Sequence, residues 1–415
     1  MQEVTFSIWE QLSENKKKKV KKIIFPGKVK QVNRPTMAFA TMCKNEEHCI
    51  GKTLDAIKGY IDYLVVADNG SEDGTFDIVK SFFLETGLPG SWHLDKWYGF
   101  DQNKTLMMSY VKDKTDYVMH LDADDFLVGD FRSDIIDSGI DQYFILNKRG
   151  ESNYWCSVIY NNRLTWKFCG VAHTIIKCLE NKDLQIKKIE GGDVYIDNTG
   201  IGARVLDPEK FLKDAKKLES QYWETLVVDP DNLNSRSAFY CAQSYRDQGG
   251  RYLVDALKWY SKYITLKATW IEEEYIARLE IADLQQRINN NDSSMNFSIE
   301  DVEFSYLNAI SIINDRAEAY FQLGKLYNYS KQYQKAYDIL LGAKKILLSD
   351  VIDKYQLFIN EKQYGLWIND ELAVSCYYLK RKAEGVNLIN EVIELQEHKY
   401  RKKHYIKSLE YFNQL

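Results

Sequence analysis

A chain of 415 residues is too long for one ordinary hydrophobic core, so two or three domains with an ample apolar interior are expected. The net charge of −5 and the lone basic block Lys16–Lys19 with Lys21 and Lys22 argue against a general polyanion binder, which needs a clustered positive excess. Seven cysteines at scattered spacings fit neither a disulfide framework nor a zinc knuckle, which points to a reducing compartment.

The opening MQEVTFSIWEQLSENKKKK lacks the apolar stretch of a signal peptide, and no run of about eighteen apolar residues follows. A cytoplasmic protein with no transmembrane segment is therefore expected, without nucleic acid as a partner. Residues 1–34 read as an N-terminal basic arm or a short helix.

From Thr36 short apolar runs alternate with amphipathic helices, the pattern of a mostly parallel sheet. Met37–Met42 reads as a strand, Glu46–Tyr60 as a helix and Tyr63–Ala67 as the next strand. Thr75–Leu84 and Gln102–Val111 read as helices, and Tyr117–Leu121 as a further strand. Beyond Phe126 the character becomes antiparallel, and an appended mixed sheet is expected from Gln142–Asn147, Tyr154–Tyr160, Leu164–Phe168, Thr174–Cys178 and Asp193–Ile196.

From Pro208 helices succeed one another. The stretch AEAYFQLGKLYNYSKQYQKAYDILLGAKKI places Tyr320, Leu323, Gly324, Tyr327, Ala336, Leu340 and Ala343 at tetratricopeptide spacing. Looser copies carry Ala242, Tyr245, Ala256 and Tyr260, and then Leu372, Ala373, Cys376, Gly385 and Ile389. Helices of this length cannot bury their apolar stripes singly, so stacked repeats are expected. The tract Asn289–Ser294 reads as a loop.

The sharpest chemical feature is His120-Leu-Asp122-Ala-Asp124-Asp125, directly after a strand. Bunched carboxylates repel unless a cation sits among them, and hard Mg²⁺ or Mn²⁺ binds one or two carboxylates together with substrate phosphates. An acidic turn or a helix cap is the structural alternative. Asp68 closes the second strand before Asn69-Gly70-Ser71, where a carboxylate can accept a hydrogen bond from a base or ribose. The helix opening near Gln102–Lys104 can present a cation and N–H groups to phosphate.

The order FATMCKNEEHCIGKTLDAI, VVADNGSEDGT, FDQNKT and MHLDADD, over roughly residues 36–130, resembles family-2 glycosyltransferases of the GT-A fold. The segment LTWKFCGVAH, ending at His173, is similar to the subgroup that also carries tetratricopeptide repeats, which includes the sublancin-type S-glycosyltransferases. The resemblance implies an α/β GT-A catalytic domain with a Rossmann-like mixed sheet over residues 35–206. A linker helix over 207–231 and an all-α tetratricopeptide-like domain over 232–415 would follow. It also implies a metal-dependent, inverting hexosyltransferase. The donor would be a nucleotide sugar, UDP-glucose or UDP-N-acetylglucosamine, and the acceptor a protein, peptide or glycan.

Residue by residue, the resemblance puts Asp68 on the nucleotide base and Thr41 near the uracil and ribose. Asn45 and Glu47, in the segment after the first strand, join them on the donor. Asp122 and Asp124 become the D-x-D site for metal and diphosphate, and Lys104 stands where relatives often have arginine. His173 is a third metal ligand, an acceptor contact or the base, and Asp125 is the alternative base. Relatives follow that histidine with glutamate, whereas here Thr174 stands, so the base is the least defined part.

Two rival readings remain. A sugar nucleotidyltransferase should show a glycine-rich phosphate loop after the first strand, and Lys44-Asn45-Glu46-Glu47 is not one. A catalytically decayed enzyme acting as a repeat-based scaffold is opposed by the retained acidic triplet and Asp68. Helical arrays commonly bind peptides and dimerise, which makes a peptide acceptor and a homodimer expectations.

Overall fold

The structure, a computed structural model, describes residues 3–29, 33–131, 136–150, 152–191, 193–198, 200–266, 270–291, 295–395 and 399–415. Contacts divide the chain into a first unit, Met1–Gly150 with Tyr154–Lys210, and a second, Phe211–Leu415 with Glu151–Asn153. No helix among the described residues is long and apolar enough to cross a membrane.

Among the described residues the strands are β1 (Glu3–Thr5), β2 (Lys22–Phe25), β3 (Met37–Cys43), β4 (Tyr63–Asp68), β5 (Gly90–Leu94), β6 (Tyr117–His120), β7 (Phe126–Val128), β8 (Gln142–Arg149), β9 (Ser152–Asn161), β10 (Trp166–Cys169), β11 (Ile175–Cys178), β12 (Ile186–Lys188) and β13 (Tyr195–Asp197). The helices of the first unit are α1 (Phe6–Glu10), α2 (Glu14–Lys17), α3 (Ile50–Ile57), α4 (Thr75–Thr86) and α5 (Phe100–Val111). Successive residues of β3 divide between two cores. Met37, Phe39 and Cys43 pack with Ile50 and Leu54 of α3 and Val79 and Phe83 of α4. Ala38 and Ala40 pack with Met107, Met108 and Val111 of α5 and with Trp166 and Phe168 of β10. A strand covered on both faces has no side for polar residues, which is why MAFATMC is apolar almost throughout.

Among the described residues one sheet runs β1-β2-β5-β4-β3-β6-β9-β8-β13-β7, with β12 added beside β8, and β10 and β11 form a separate antiparallel ribbon. The strands β5, β4, β3 and β6 are mutually parallel. The chain passes outward from β3 to β4 and β5, then returns to place β6 on the other side of β3. The carboxyl ends of β3 and β6 therefore flank a topological switch point, the place where open α/β sheets bind ligands.

Several expectations are corrected. The segment read as an arm or a short helix holds the short helices α1 and α2 and also contributes β1 and β2, and β2 pairs antiparallel with β5. Ile23 is fully buried there and Phe25 stacks on Phe83 at 3.8 Å, so apolar contacts override the lysine-rich surroundings. The helix read over Glu46–Tyr60 is confined to Ile50–Ile57, with turns on either side. The sheet beyond Phe126 is mixed, as expected, with β12 and β13 both parallel to β8.

The second unit contains α6 (Lys210–Thr225), α7 (Asn234–Gln248), α8 (Leu253–Tyr263), α9 (Ile271–Asn291), α10 (Ile299–Ile312), α11 (Glu318–Tyr329), α12 (Tyr333–Ala343), α13 (Leu348–Lys354), α14 (Leu366–Tyr378), α15 (Lys382–Leu395) and α16 (Lys399–Asn413). Neighbours in sequence pack as pairs, α7 on α8, α9 on α10, α11 on α12 and α14 on α15. Gly324 lets α11 and α12 approach: a Cβ there would meet the Leu340 side chain at 2.4 Å. Leu323, Ala336, Leu340 and Ala343 are fully buried around it, as the repeat spacing requires. The helix expected as a linker, α6, packs on α7, where Tyr245 Oη donates to Glu219 at 3.0 Å and Ser237 Oγ to Gln221 at 3.0 Å. Asn289–Asn291, read as loop, closes α9 as helix, and residues 292–294 lie outside the described residues.

Candidate active site

Beyond His120 the chain leaves β6 and crosses the switch point as Leu121–Asp125. Two buried hydroxyls fix its path: Thr41 Oγ1 donates to the Leu121 carbonyl at 2.9 Å and Thr53 Oγ1 to the Ala123 carbonyl at 2.6 Å. Asp125 N–H donates to the Asp122 carbonyl at 3.0 Å and closes the turn. Thr41, expected near a nucleoside, is thus fully buried and spends its hydroxyl on shaping the acidic loop.

The three aspartates have different surroundings. Asp122 is half-exposed, and its Oδ1 lies 2.7 Å from Lys104 Nζ. Desolvation opposes its charge even though the side chain is half-exposed, but the Lys104 ammonium outweighs this and the carboxyl is held at about 2. Asp124 accepts the Gly202 N–H on Oδ2 at 2.9 Å. Asp125 is buried, and its Oδ1 has no hydrogen-bond partner. Burial, followed by the charges of Asp122 and Asp124, pushes its carboxyl well up. His120 is buried behind Asp122, with Nδ1 donating to the Ala40 carbonyl at 2.9 Å. Burial, then Lys104, lowers its imidazole to about 4, which keeps it neutral.

At the end of β4, Asp68 accepts three hydrogen bonds on one oxygen: from Gly70 N at 3.0 Å, Ser71 N at 2.8 Å and Ser71 Oγ at 2.8 Å. It therefore builds the turn as well as closing the strand, and burial raises its carboxyl despite those bonds. Asn45 holds the same turn from the other side. Its N–H donates to Ser71 Oγ at 2.9 Å, and its Oδ1 accepts from Glu72 N at 2.8 Å. Glu47 is exposed and accepts the Gly74 N–H at 2.6 Å.

A buried amide pair, which the sequence does not announce, joins these loops. Asn103 Nδ2 donates to Asn69 Oδ1 at 2.6 Å and to the Lys96 carbonyl at 2.9 Å, while its Oδ1 accepts from Tyr98 N and Gly99 N at 2.8 and 3.2 Å. Asn103 thereby fixes the entry to α5, the helix that carries Lys104.

His173 is exposed, with a φ of 47°, in the turn between β10 and β11. Among the described residues it does not gather with Asp122 and Asp124 as a set of three ligand atoms within 4.8 Å; Glu46, His48 and Cys49 do. A cleft of about 590 Å³ lies between α5 and the β10–β11 ribbon, lined by residues such as Thr105, Lys112, Trp166 and Phe168. None of Asp68, Asp122, Asp124 or Asp125 faces it, and the switch point is the better place for the chemistry because the charged groups converge there.

The acidic loop offers oxygen donors for a divalent cation, although among the described residues its three aspartates do not gather three ligand atoms within 4.8 Å of one another. Asp122 Oδ2 and Asp124 Oδ1 carry no hydrogen bond, and the orphaned Asp125 Oδ1 is a buried acceptor that a nearby positive charge would relieve. All three are hard oxygen donors of the kind Mg²⁺ and Mn²⁺ take.

Comparison with known proteins agrees in part. No curated protein matches the chain. Among solved structures, MamA matches at 18% identity over 47% of this chain and 96% of its own, with a TM-score of 0.33. A tetratricopeptide repeat protein from Parabacteroides merdae matches at 14% identity over 50% of this chain and 68% of its own, with a TM-score of 0.36. Residues 39–137, which run from β3 past the acidic loop, match the family model Glycosyl transferase family 2. This match to a family-2 glycosyl transferase domain supports glycosyltransferase activity for the first unit.

Proposed function

We propose that the chain transfers a sugar from a UDP-linked donor, UDP-glucose or UDP-N-acetylglucosamine, to a protein, peptide or glycan acceptor, with inversion at the anomeric carbon. Asp122 and Asp124 are the residues that would hold Mn²⁺ or Mg²⁺ against the donor diphosphate. A cation so bound neutralises the charge that develops on the leaving phosphate. Asp68 and Asn45 shape the floor on which the nucleoside rests, and Lys104 supplies a fixed positive charge beside Asp122. His173, exposed in its turn, is the residue we assign to the acceptor side, where a base must take the proton of the attacking hydroxyl or thiol. The helical pairs of the second unit are the proposed surface for a peptide acceptor or a second copy of the chain.

The observation that carries this reading is the Lys104–Asp122 pair, a cation and a half-exposed carboxylate 2.7 Å apart at the switch point of the sheet. A screen of nucleotide sugars for Mn²⁺-dependent turnover tests it. UDP-sugars should be consumed by the native chain and spared when Asp122→Asn is combined with Asp124→Asn. Metal-independent turnover, or turnover unchanged in the double variant, would refute it.

A further inference from the structure

The strap Ile201–Leu206, which follows β13, lies across the acidic loop and is held there by polar contacts. His48 Nε2 lies 2.7 Å from the Ile201 carbonyl, Gly202 N–H donates to Asp124 at 2.9 Å, and Ala203 N–H donates to Glu46 at 3.1 Å. Hydrophobic burial does not explain its position, since Ile201, Val205 and Leu206 are 44%, 49% and 84% exposed. The close approach requires glycine: a Cβ on Gly202 would meet Asp124 Oδ2 at 2.5 Å. Two residues on, this arrangement delivers Arg204. Its guanidinium sits 4.8 Å from the centre of the Phe100 ring, the first residue of the helix that also carries Lys104 one turn later. The bond of the strap to Asp124 and this ring contact bring Arg204 to the loop that Lys104 reaches from α5.

We infer that Arg204 binds the diphosphate of the nucleotide-sugar donor, as the second fixed cation of the site alongside Lys104. The inference rests on the donor reading above and adds a residue to it. A diphosphate brings several negative oxygens, and the strap and α5 bring a guanidinium and an ammonium to the same loop. Arginine suits the role because its planar fork meets phosphate oxygens two at a time, which the lysine ammonium cannot do. Stacking on Phe100 keeps the fork oriented before a ligand arrives.

The test is a calorimetric titration of the full chain with UDP and with uridine, both in Mn²⁺. Arg204 is exposed, so its truncation leaves the core intact. Arg204→Ala is expected to weaken UDP binding about tenfold and uridine binding by no more than about twofold, because only UDP carries the phosphates. Arg204→Lys should recover part of the loss. Gly202→Ala, which keeps the guanidinium but lifts the strap from Asp124, should also weaken UDP binding. Unchanged UDP affinity in Arg204→Ala, or an equal loss for UDP and uridine, would overturn the assignment while leaving the donor reading standing. Failure of the native chain to bind UDP would instead overturn the UDP-donor reading, and this inference with it.

Discussion

Lys104 Nζ lies 2.7 Å from Asp122 Oδ1, which ties the helix α5 to the loop beyond β6 and keeps a carboxylate charged beside a bare oxygen donor. Replacing the ammonium with an isosteric apolar chain, Lys104→Met, removes both the charge and its hold on the aspartate. We expect kcat/KM for the donor to fall by about 100-fold, the scale of one lost electrostatic contact in a site of this kind. Lys104→Arg keeps the charge and should stay within about tenfold of the native value. Steady-state kinetics decide the matter; native turnover in Lys104→Met would remove Lys104 from the site.

Asn103 makes four hydrogen bonds that hold the Lys96–Gly99 loop and Asn69 in register. Asn103→Leu would strand those partners in the interior at a cost of about 1–3 kcal/mol for each group left unsatisfied. Urea unfolding of the first unit should therefore shift to lower denaturant, and donor KM should rise because the entry to α5 loosens. A variant as stable as the native chain would mean that water replaces these bonds at no cost.

His93 gives a pH dependence of definite sign. It is buried, lies 2.8 Å from Ser91 Oγ through Nε2 and stacks on Tyr110 at 3.6 Å. Burial, then Lys22, lowers its imidazole to about 3. The unfolded chain binds a proton on this ring below about pH 6.5 that the folded chain refuses until far lower pH. Stability is therefore lost as pH falls through that window, at about 1.4 kcal/mol per pH unit for this one group. Between pH 6.5 and pH 5, native protein should lose about 2 kcal/mol more than His93→Gln. Equal losses in denaturant titrations would show that the ring is protonated in the fold.

In the second unit Arg316 is fully buried, with Nη2 2.8 Å from Glu318 Oε1 and Nη1 2.9 Å from the Leu357 carbonyl. Arg316→Met would leave the Glu318 charge buried without its partner, at about 3–5 kcal/mol. Arg316→Met combined with Glu318→Gln should regain a large part of that. If the single variant melts with the native protein, Glu318 is neutral in the fold.

What the sequence disclosed followed from signals that are local. The run MAFATMC reads as a strand because both its faces are covered, and HLDADD reads as a site because three carboxylates follow a strand end. Gly324 and Leu340 are legible because close helix packing repeats at a fixed spacing. The strand β5 is hidden because GSWHL mixes Gly, Ser and His, and its burial comes from distant partners such as Tyr110 and Phe76. Arg204 was hidden because it lies far from Asp122 in sequence, on a strap with no periodic pattern. The pairing of Asn69 with Asn103 leaves no trace either, since two amides acquire meaning only when the fold brings them together. Asp68 was recognised by its place at a strand end, but its part in building the turn required the three bonds to be seen.

The central claim is that the carboxylates of Asp122 and Asp124 serve a cation and a donor diphosphate. Calorimetric titration of UDP into the native chain, with and without Mn²⁺, and into Asp122→Asn, tests it most directly. Binding should require the metal in the native chain and weaken at least about tenfold in the variant. Equal affinity with and without Mn²⁺, or in Asp122→Asn, would contradict it.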